Sequence, residues 1–499
     1  MNILIASSEV FPFAKTGGLA DVCGALPIAL SRLDHQPVVV MPAYRCIKTQ
    51  GFPTEDTGIS WELQIGSKPV AGRLLRSTLP GSTVPIYFVH QDDYFDREGI
   101  YAEDGHDYDD NCERCVFFCR SILEVVGHLD FPIDLIHCND WTTGLVPAYL
   151  KTEYSNSPVH ERIATLFTIH NLAYQGTFWH WDMLLTGLDW KYFNWHQMEF
   201  HGNLNLMKTG LVFADAISTV SPRYAREIQA SPLGCGLEGL LQHRQRAVSG
   251  IINGVDYEKW NPATDAHLAE KYDIESFAEG KAACKAALQH ELGLAAEPGR
   301  PLIGLVGRLA SQKGLDLVVP VIRQLAAENS IQWAILGRGD EQLENQLSNL
   351  AIQYPRQVAV QIDFCERLAH QIEAGADMFL MPSQYEPCGL NQLYSLKYGT
   401  VPIVRETGGL ADTVTDTNQE SLAAKTATGF LFSDYSVAAL CDCVRRSCQY
   451  YNSDPSNWRQ IIRTGMSQDW SWHNSAAEYS RLYRRIVSSR QTAATAAVS

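Results

Sequence analysis

This 499-residue chain lacks both long hydrophobic runs and an excess of positive charge. No apolar stretch reaches the roughly eighteen residues that a membrane-spanning helix needs. Lysine and arginine total 40 against 56 aspartates and glutamates, which gives a formal net charge of −16. A surface of that sign attracts neither nucleic acid nor an anionic membrane, which argues against both classes of partner. A negatively charged substrate would therefore need a local basic pocket.

The sequence also lacks the pattern of a signal peptide and the paired cysteines of a zinc-binding motif. Strand-like sequence begins within two residues of Met1, so we expect no signal peptide. The number of cysteines is odd, at thirteen, and their tightest cluster is Cys112, Cys115 and Cys119. These spacings place three sulfurs on one helix face, and no second cysteine pair completes a zinc site. We expect buried free thiols in a soluble, cytoplasmic protein.

The hexapeptide Thr-Gly-Gly-Leu-Ala-Asp occurs twice, at residues 16–21 and 407–412. Each copy follows a short apolar run typical of a buried strand and leads into a helical pattern. A glycine pair at such a junction lets backbone N–H groups approach an anion at the helix N-terminus. Two copies therefore suggest two domains that share one ligand. The alternative is two ordinary strand-to-helix turns, since glycine is the usual residue of turns.

Apolar runs alternate with amphipathic stretches in both halves of the chain, which predicts two doubly wound parallel sheets of the α/β class. The predicted strands are 3–6, 38–41, 86–89, 135–138, 165–169 and 216–220, then 302–306, 332–336, 358–362, 378–381 and 401–404. The predicted helices include 20–33, 111–126, 144–154, 315–329 and 341–353. The predicted domains are 1–250 and 251–470, each Rossmann-like, with a terminal helix at 471–490 and a disordered tail at 491–499. Ligand contacts are expected at the carboxyl ends of the strands, where the two domains would face a central cleft.

A pair of cations follows the first strand of the second half. Arg308 and Lys313 lie five residues apart after Gly307, around a turn that contains another glycine. Arginine forks onto phosphate and lysine supplies a mobile point charge, so the pair suits a diphosphate. The alternative is two solvated charges at a helix start, although cations there oppose the helix dipole.

Polar loops follow other predicted strands. Glu386 precedes a helix, where its carboxylate could bind sugar hydroxyls or simply cap that helix. Gly337 and Gly339 form an incomplete dinucleotide fingerprint that could line a nucleotide site. In the first half, Asp140 and His170 follow two strands, and a histidine in such a place is as often structural as catalytic. The aromatic stretches 174–181 and 190–201 suit either a core or stacking on sugar rings.

Five segments, in order over residues 1–488, resemble the signature sequences of bacterial glycogen synthases and plant starch synthases. They are 15–21 (Lys-Thr-Gly-Gly-Leu-Ala-Asp), 168–176, 252–262, 307–314 and 386–390 (Glu-Pro-Cys-Gly-Leu). The resemblance implies a GT-B fold and a retaining transfer of glucose from ADP-glucose to the non-reducing end of an α-1,4-glucan such as glycogen. It implies no metal and no cofactor. It leaves open the choice of ADP- over UDP-glucose and the oligomeric state.

The resemblance also implies roles for individual residues. Arg308 and Lys313 would neutralise the leaving ADP, Glu386 would hold glucose hydroxyls, and His170 and Asp140 would lie near the sugars. The donor-binding residues would be Lys15, Gly18, Asp21, Asn171, Gly307, Cys388, Gly389, Leu390 and Phe364, the last stacking on adenine. Three positions depart from common patterns. Asn139 and Thr142 replace histidines often found beside Asp140 and Trp141, and Tyr394 stands where many GT-B enzymes have a second glutamate.

Two rival functions remain open at this point. Asp107 and Asp109 form an Asp-x-Asp string that could bind Mg²⁺ for a metal-dependent transferase, although it sits in an acidic loop. A protein of the same fold could also bind glucan without catalysis, since fold does not fix function. The intact set of Lys15, Arg308, Lys313 and Glu386 argues against that scaffold.

Overall fold

The computed structural model describes residues 1–328 and 330–498, which form two compact units. The first unit contains Met1–Val220, Ala225–Gly254 and the terminal segment from Trp472. The second contains Ser221–Tyr224 and Val255–Ser471. The predicted boundary between residues 250 and 251 falls close to the change of unit after Gly254.

A nine-stranded sheet forms the centre of the first unit. Its strand order is β14-β13-β9-β8-β1-β2-β5-β4-β3. The strands of the unit are β1 (Asn2–Ala6), β2 (Gln36–Pro42), β3 (Glu55–Ile65), β4 (Lys68–Thr78), β5 (Pro85–His90), β6 (Ala102–Glu103), β7 (His106–Asp107), β8 (Leu135–Asn139), β9 (Ala164–Ile169), β10 (Thr177–Phe178), β11 (Glu199–Phe200), β12 (Asn203–Asn205), β13 (Ala216–Thr219) and β14 (Val248–Gly250). All six strands predicted in this half are present, because continuous apolar runs such as β1 are buried on both faces of a parallel sheet.

The sheet also contains an antiparallel hairpin that the sequence analysis did not predict. Strands β3 and β4 pair antiparallel, and β4 then pairs antiparallel with β5. Along β3 the buried residues Trp61, Leu63 and Ile65 alternate with exposed ones. Strands with one solvated face carry this period of two, which is a weaker signal than a fully apolar run.

Helices flank the sheet of the first unit. They are α1 (Gly18–Ser31), α2 (Arg45–Thr49), α3 (Asp92–Phe95), α4 (Asn111–His128), α5 (Leu145–Lys151), α6 (Met183–Thr186), α7 (Leu206–Phe213), α8 (Pro222–Glu227), which extends across the change of unit, and α9 (Glu238–His243). The three clustered cysteines lie buried on α4, as their spacing predicts. Burial raises the pKa of all three thiols, so they are protonated core residues.

A six-stranded parallel sheet forms the second unit, in the order β17-β16-β15-β18-β19-β20. Its strands are β15 (Leu302–Val306), β16 (Gln332–Gly337), β17 (Val358–Ile362), β18 (Met378–Met381), β19 (Val401–Arg405) and β20 (Phe430–Phe432). Its helices are α10 (Phe277–Glu291), α11 (Leu315–Ala327), α12 (Glu341–Gln353), α13 (Glu366–Gly375), α14 (Asn391–Tyr398), α15 (Gly408–Thr413), α16 (Gln419–Ala423), α17 (Val437–Ser453) and α18 (Pro455–Met466). Five of these strands were predicted and β20 was not. The predicted end of α11, Asn329, lies outside the described residues.

The terminal helix α19 (Trp472–Val498) packs within the first unit. Ser480 hydrogen-bonds to His35 at 2.7 Å, and Tyr483 hydrogen-bonds to His137 at 2.9 Å. The prediction of a disordered tail at 491–499 is wrong up to Val498, because the alanine-rich end continues the helix. Ser499 lies outside the described residues. Over residues 1–328 and 330–498, no helix combines the length and the apolar character needed to cross a bilayer.

Candidate active site

Each sheet has a topological switch point, where the strand order reverses and adjacent loops separate to leave a crevice. In the first unit this point lies between β1 and β8, and in the second between β15 and β18. The sequence places its candidate residues in the loops after these strands: Lys15 and Asp140 in one unit, Lys313 and Glu386 in the other. Parallel-sheet topology therefore concentrates chemistry-bearing side chains at two crevices, one in each unit.

Asp140 lies at the carboxyl end of β8 in a strained conformation. Its φ of 57° falls in the left-handed region, which a non-glycine residue occupies at a cost of about 1–3 kcal/mol. Its Oδ1 accepts a 2.8 Å hydrogen bond from the backbone N–H of His170. Burial raises the pKa of Asp140 to about 7, against the opposing effect of the His170 and Asn171 amides. Such a carboxyl changes charge near neutral pH, as a residue that handles protons or hydroxyl groups requires.

His170 is held as a neutral imidazole of defined tautomer. Burial lowers its pKa to about 3, so the ring is uncharged at neutral pH. Its Nε2 lies 2.9 Å from Oδ1 of Asn139, whose amide nitrogen donates to the carbonyls of Ala6 and His137. Because that orientation makes Asn139 Oδ1 an acceptor, the network assigns the proton to Nε2 of His170. Asn139 therefore fixes the orientation of the His170 ring.

The Lys15–Gly18 loop is anchored by Glu9, a residue that the sequence analysis missed. The buried Glu9 carboxylate accepts hydrogen bonds from Thr16 N at 2.5 Å, Gly17 N at 3.2 Å and Thr16 Oγ1 at 2.7 Å. It also accepts one from the Tyr101 hydroxyl at 2.8 Å. Glu9 belongs to no recognisable sequence motif, so the sequence alone does not predict a role for it. Its contact with the loop is established by the folded structure.

The exposed part of this loop forms the N-terminus of a fourteen-residue helix. Helix α1 begins at Gly18 with Gly17 as its N-cap. Lys15 lies beside this end, with its Nζ 2.7 Å from Asp21 Oδ1. An ammonium group and first-turn amides at the positive end of a helix dipole together suit an anion.

The loops after β15 and β18 bring Lys313 and Glu386 together. The two charged atoms, Nζ of Lys313 and Oε2 of Glu386, lie 2.6 Å apart, and Ser383 Oγ donates to the same oxygen at 3.0 Å. Glu386 is only 5% exposed, whereas about a third of Lys313 reaches solvent. The buried Glu386 carboxylate can accept hydrogen bonds from the hydroxyl groups of a ligand. The partly exposed Lys313 ammonium can at the same time bind an anionic group of that ligand.

The neighbouring predicted residues lie in the same two loops. Arg308 is exposed and its guanidinium donates to Gln312 Oε1 at 3.0 Å, in the turn that precedes Lys313. Gly307 directly follows β15, and Cys388, two residues after Glu386, is buried. Gly389 and Leu390 stand directly before α14, with Leu390 as its N-cap. Phe364, predicted to stack on adenine, follows β17 and is 74% exposed.

The second hexapeptide has a different role from the one the sequence suggested. The N–H of Gly409 is engaged by the carbonyls of Glu386 and Pro387, both at 3.2 Å. A Cβ at Gly409 would lie 2.1 Å from the carbonyl oxygen of Cys388. This copy supports the Glu386 loop from beneath, so its glycines serve close backbone approach.

The Gly337-x-Gly339 pair is explained the same way. A Cβ at Gly339 would lie 2.2 Å from the carbonyl oxygen of Leu309, and the two residues form a β-bridge. The pair therefore lets β16 approach the Arg308 loop closely. Its predicted position as a wall of a nucleotide site stays a prediction.

Two further residues were missed or left without a role. Asn253 is 5% exposed, and its Oδ1 has no hydrogen-bond partner among the described residues. Trp260 is sandwiched between Tyr394 at 3.9 Å and His370 at 3.8 Å, nearly parallel to both. The stack packs the segment after Val255 onto α13, which carries His370, and onto α14, which carries Tyr394.

The Asp-x-Asp string is not part of the loops that follow β1, β8, β15 or β18. Asp107 ends the short exposed strand β7, and the neighbouring Asp110 is paired with Arg97. Among the described residues, no group of three or more histidine, cysteine or acidic side chains is arranged to hold a metal ion.

Comparisons with known proteins identify the family of this chain. A family model described as the starch synthase catalytic domain matches residues 2–243, and one described as glycosyl transferases group 1 matches residues 293–458. A glycogen synthase from Rhodopirellula baltica is 47% identical over 498 residues, covering 98% of each chain. This chain belongs to the glycogen synthase family. Its membership confirms the family and the GT-B class expected from the signature segments.

Other family members and one solved structure extend the match. A glycogen synthase from Syntrophotalea carbinolica is 46% identical, with 98% of this chain and 99% of that protein covered. The catalytic domain of starch synthase IV from Arabidopsis thaliana, solved bound to ADP and acarbose, superposes on this glycogen synthase family chain with a TM-score of 0.89. The two sequences are 31% identical, and the match covers 98% of this chain and 99% of the starch synthase chain. A sucrose-phosphate synthase from Thermosynechococcus elongatus, 17% identical with a TM-score of 0.57, shares the fold alone.

Proposed function

We propose that this chain transfers glucose from ADP-glucose to the non-reducing end of an α-1,4-glucan such as glycogen, with release of ADP and retention of the anomeric configuration. The observation that carries the proposal is the contact between Lys313 and Glu386. A cation beside a buried carboxylate fits a molecule that has a diphosphate next to a sugar. The starch synthase IV relative, solved with ADP and acarbose, supports the same class of ligand.

The second unit is proposed to hold the donor. Arg308 and Lys313 face the diphosphate, Glu386 accepts from the glucose hydroxyls, and the amides of Gly389 and Leu390 bind sugar and phosphate at the start of α14. Gly307 and Cys388 shape these loops. Phe364, which is largely exposed on the same sheet, stacks on the adenine.

The first unit is proposed to contribute Lys15, the Gly18 amide and Asp21 at the α1 terminus, toward the diphosphate. Asp140, His170 and Asn171 contact the sugars. The neutral His170 ring suits a hydroxyl group as a hydrogen-bond donor to it, because Nε2–H donates to Asn139 and Nδ1 remains as an acceptor.

The chemistry follows from where charge develops. The bond between the anomeric carbon and the diphosphate breaks, so negative charge collects on ADP and positive charge on the sugar ring. Fixed cations and backbone dipoles that favour the departing ADP are the largest catalytic contribution available. The acceptor hydroxyl attacks the same face, and its proton passes to the leaving phosphate. No Asp or Glu is assigned as a nucleophile.

Measuring nucleotide release tests this proposal. ADP-glucose and UDP-glucose are each supplied with and without glycogen, in the presence of EDTA. Glycogen-dependent release of ADP is the expected result. Release of UDP alone would revise the donor, and release without glycogen would indicate hydrolysis or another acceptor.

The same assay separates the two rivals. Activity that disappears with EDTA would favour the metal-dependent reading of Asp107 and Asp109. Silence with both donors, together with normal glucan binding by wild-type and Lys313→Ala protein, would favour a scaffold. We further propose a cytoplasmic location, which the thirteen free cysteines support because thiols stay reduced there.

A further inference from the structure

Three exposed tryptophans lie next to one another on the first unit, outside the set of residues proposed above for the transfer reaction. Trp179, Trp181 and Trp190, here called the tryptophan patch, are 61%, 49% and 40% exposed. Ring centroids lie 6.4 Å apart for Trp179 and Trp181 and 5.6 Å apart for Trp181 and Trp190. Exposed aromatic surface of this extent marks an interaction site, because leaving large apolar rings in water is unfavourable.

The patch stands on a fixed base. Its rings project from two short turns, residues 180–182 and 190–192, and the second is capped by Asp189 through Lys191 N at 2.9 Å. Thr186, between the turns, is fully buried and its carbonyl accepts hydrogen bonds from Tyr149 at 2.9 Å and Arg120 at 2.6 Å. The backbone that carries the rings is therefore anchored before any ligand arrives, which lowers the entropy cost of binding.

The charge of the chain selects among possible occupants. A net charge of −16 repels anionic lipid and nucleic acid, and it also disfavours association with a second copy of the same chain. An uncharged polyol is not repelled by this negative charge. Sugar rings have apolar C–H faces that stack on indole, and their hydroxyls bond to polar groups such as His180, Asp189 and Lys191, which alternate with the tryptophans along the chain.

We propose that the tryptophan patch is an additional binding surface for α-1,4-glucan, which anchors the polymer through neighbouring glucose units. The inference rests on the proposed function, since it takes its ligand class from the acceptor. Holding one segment of a polymer on the patch raises the effective concentration of its chain ends for the transfer residues of the same enzyme. A short acceptor cannot gain in this way.

Trp181→Ala, at the centre of the patch, tests the proposal in the full-length enzyme. The measurements are migration in glycogen-containing native gels and the KM for glycogen and for maltotriose. The expected result is weaker retention by glycogen and a KM for glycogen raised about tenfold, as for loss of a central tryptophan contact. The KM for maltotriose stays within about twofold, since the gain through avidity is absent. Trp181→Phe, which keeps an aromatic ring, restores most of the glycogen affinity.

Ile352→Ala is the matched control, because this residue is 78% exposed on the second unit. Unchanged retention and KM for glycogen in Trp181→Ala would overturn the proposal. An equal rise in the KM for maltotriose would overturn it too, by making the patch part of the reacting acceptor site. A changed molar mass in light scattering would identify a contact between copies instead. Gel retention needs no turnover, so its loss in Trp181→Ala supports the patch even if wild type transfers no glucose.

Discussion

Replacing Glu9 by glutamine tests whether one buried carboxylate holds the Lys15–Gly18 loop in its working position. The two Glu9 oxygens accept four hydrogen bonds, two from the backbone of Thr16 and Gly17 and two from the hydroxyls of Thr16 and Tyr101. Glutamine has nearly the same shape but presents one oxygen and one NH₂ group. If the NH₂ group takes the Oε2 position, it faces the two backbone N–H groups, which cannot accept. If it takes the Oε1 position, the two hydroxyls can turn to accept from it, but the backbone N–H groups then lose their charged acceptor.

The size of the effect follows from those contacts. Hydrogen bonds to a charged group contribute about 1.5–3 kcal/mol each, and the exposed loop regains part of this from water. We take a net loss of about 1.5–3 kcal/mol for the ordered loop, which corresponds to a factor of about 10–100 in its population. Donor affinity falls by the same factor if only the ordered loop binds the diphosphate. The expected change is therefore in the KM for ADP-glucose, with the KM for glycogen little affected.

The assay measures ADP release at varied ADP-glucose and at varied glycogen, alongside direct binding of ADP. Glu55→Gln is the matched control, because Glu55 is an exposed carboxylate in the same unit that pairs with Arg76 at 2.9 Å. Surface pairs of that kind contribute only about 0–1 kcal/mol. In a Lys15→Ala background, Glu9→Gln should add little, since both changes act on the same phosphate contact.

Two results would refute this reasoning. An unchanged KM for ADP-glucose and unchanged ADP binding in Glu9→Gln would show that the loop needs no carboxylate. A loss of the same size with and without Lys15 would show that Glu9 acts elsewhere, for instance through general stability of the first unit.

Three other predictions concern the remaining candidate residues. Lys313→Ala should lower kcat/KM by on the order of 10²-fold in steady-state assays. Adding Glu386→Gln should lower kcat/KM little further, because the two groups act as a pair. Independent, additive losses in kcat/KM would contradict this. The Asp140 carboxyl, with its pKa raised to about 7, ionises only as pH rises through that value, so kcat/KM should rise over the same range if the carboxylate is the working form. Asp140→Asn should remove this rise in kcat/KM with pH. If the rise persisted in the variant, it would have to come from the ionisation of another group. Gly409→Ala should lower the free energy of unfolding, measured by chemical denaturation, by about 1–3 kcal/mol, because the added Cβ would clash with Cys388. Gly17→Ala is the control and should change the free energy of unfolding little, because a Cβ at Gly17 would have open space around it.

Much of the fold can be predicted from the sequence because parallel strands are buried on both faces. Five predicted strands in the second half coincide with observed ones within a residue at either end, for example Leu302–Val306. The hairpin of β3 and β4 escaped because its apolar residues alternate with charged ones, and β20 escaped because it has only three residues. Signals weaken where only one face of a strand is buried, or where a strand is too short to show a period.

The site could be predicted in its parts but not in its contacts. Lys313 and Glu386 are separated by 73 positions, and their 2.6 Å pairing depends on β15 and β18 being neighbours in the sheet. The strand order is a tertiary property that no local motif encodes. The same holds for Glu9 and Tyr101, which meet over 92 positions. Residue types at strand ends therefore predict the chemistry of a site, while the partners that tune each group come from packing.

The two identical hexapeptides show why a motif alone does not settle a role. In the first copy, Gly17 and Gly18 have open space around them, and Asp21 pairs with the neighbouring Lys15. In the second, Gly409 is pressed against the Glu386 loop. Asp412 there accepts hydrogen bonds from Ser221 Oγ and Arg223 N, both at 2.7 Å.

The difference between the copies arises from which segment of the chain lies against each glycine pair. Beside the second copy, the loop after β18 lies directly over Gly409, and the carbonyls of Glu386 and Pro387 accept from its N–H. Beside the first copy, Glu9 reaches the loop from its own strand end and leaves the helix terminus exposed. A glycine pair before a helix is thus a capacity for close approach, and the surrounding chain decides whether a phosphate or a backbone carbonyl uses it.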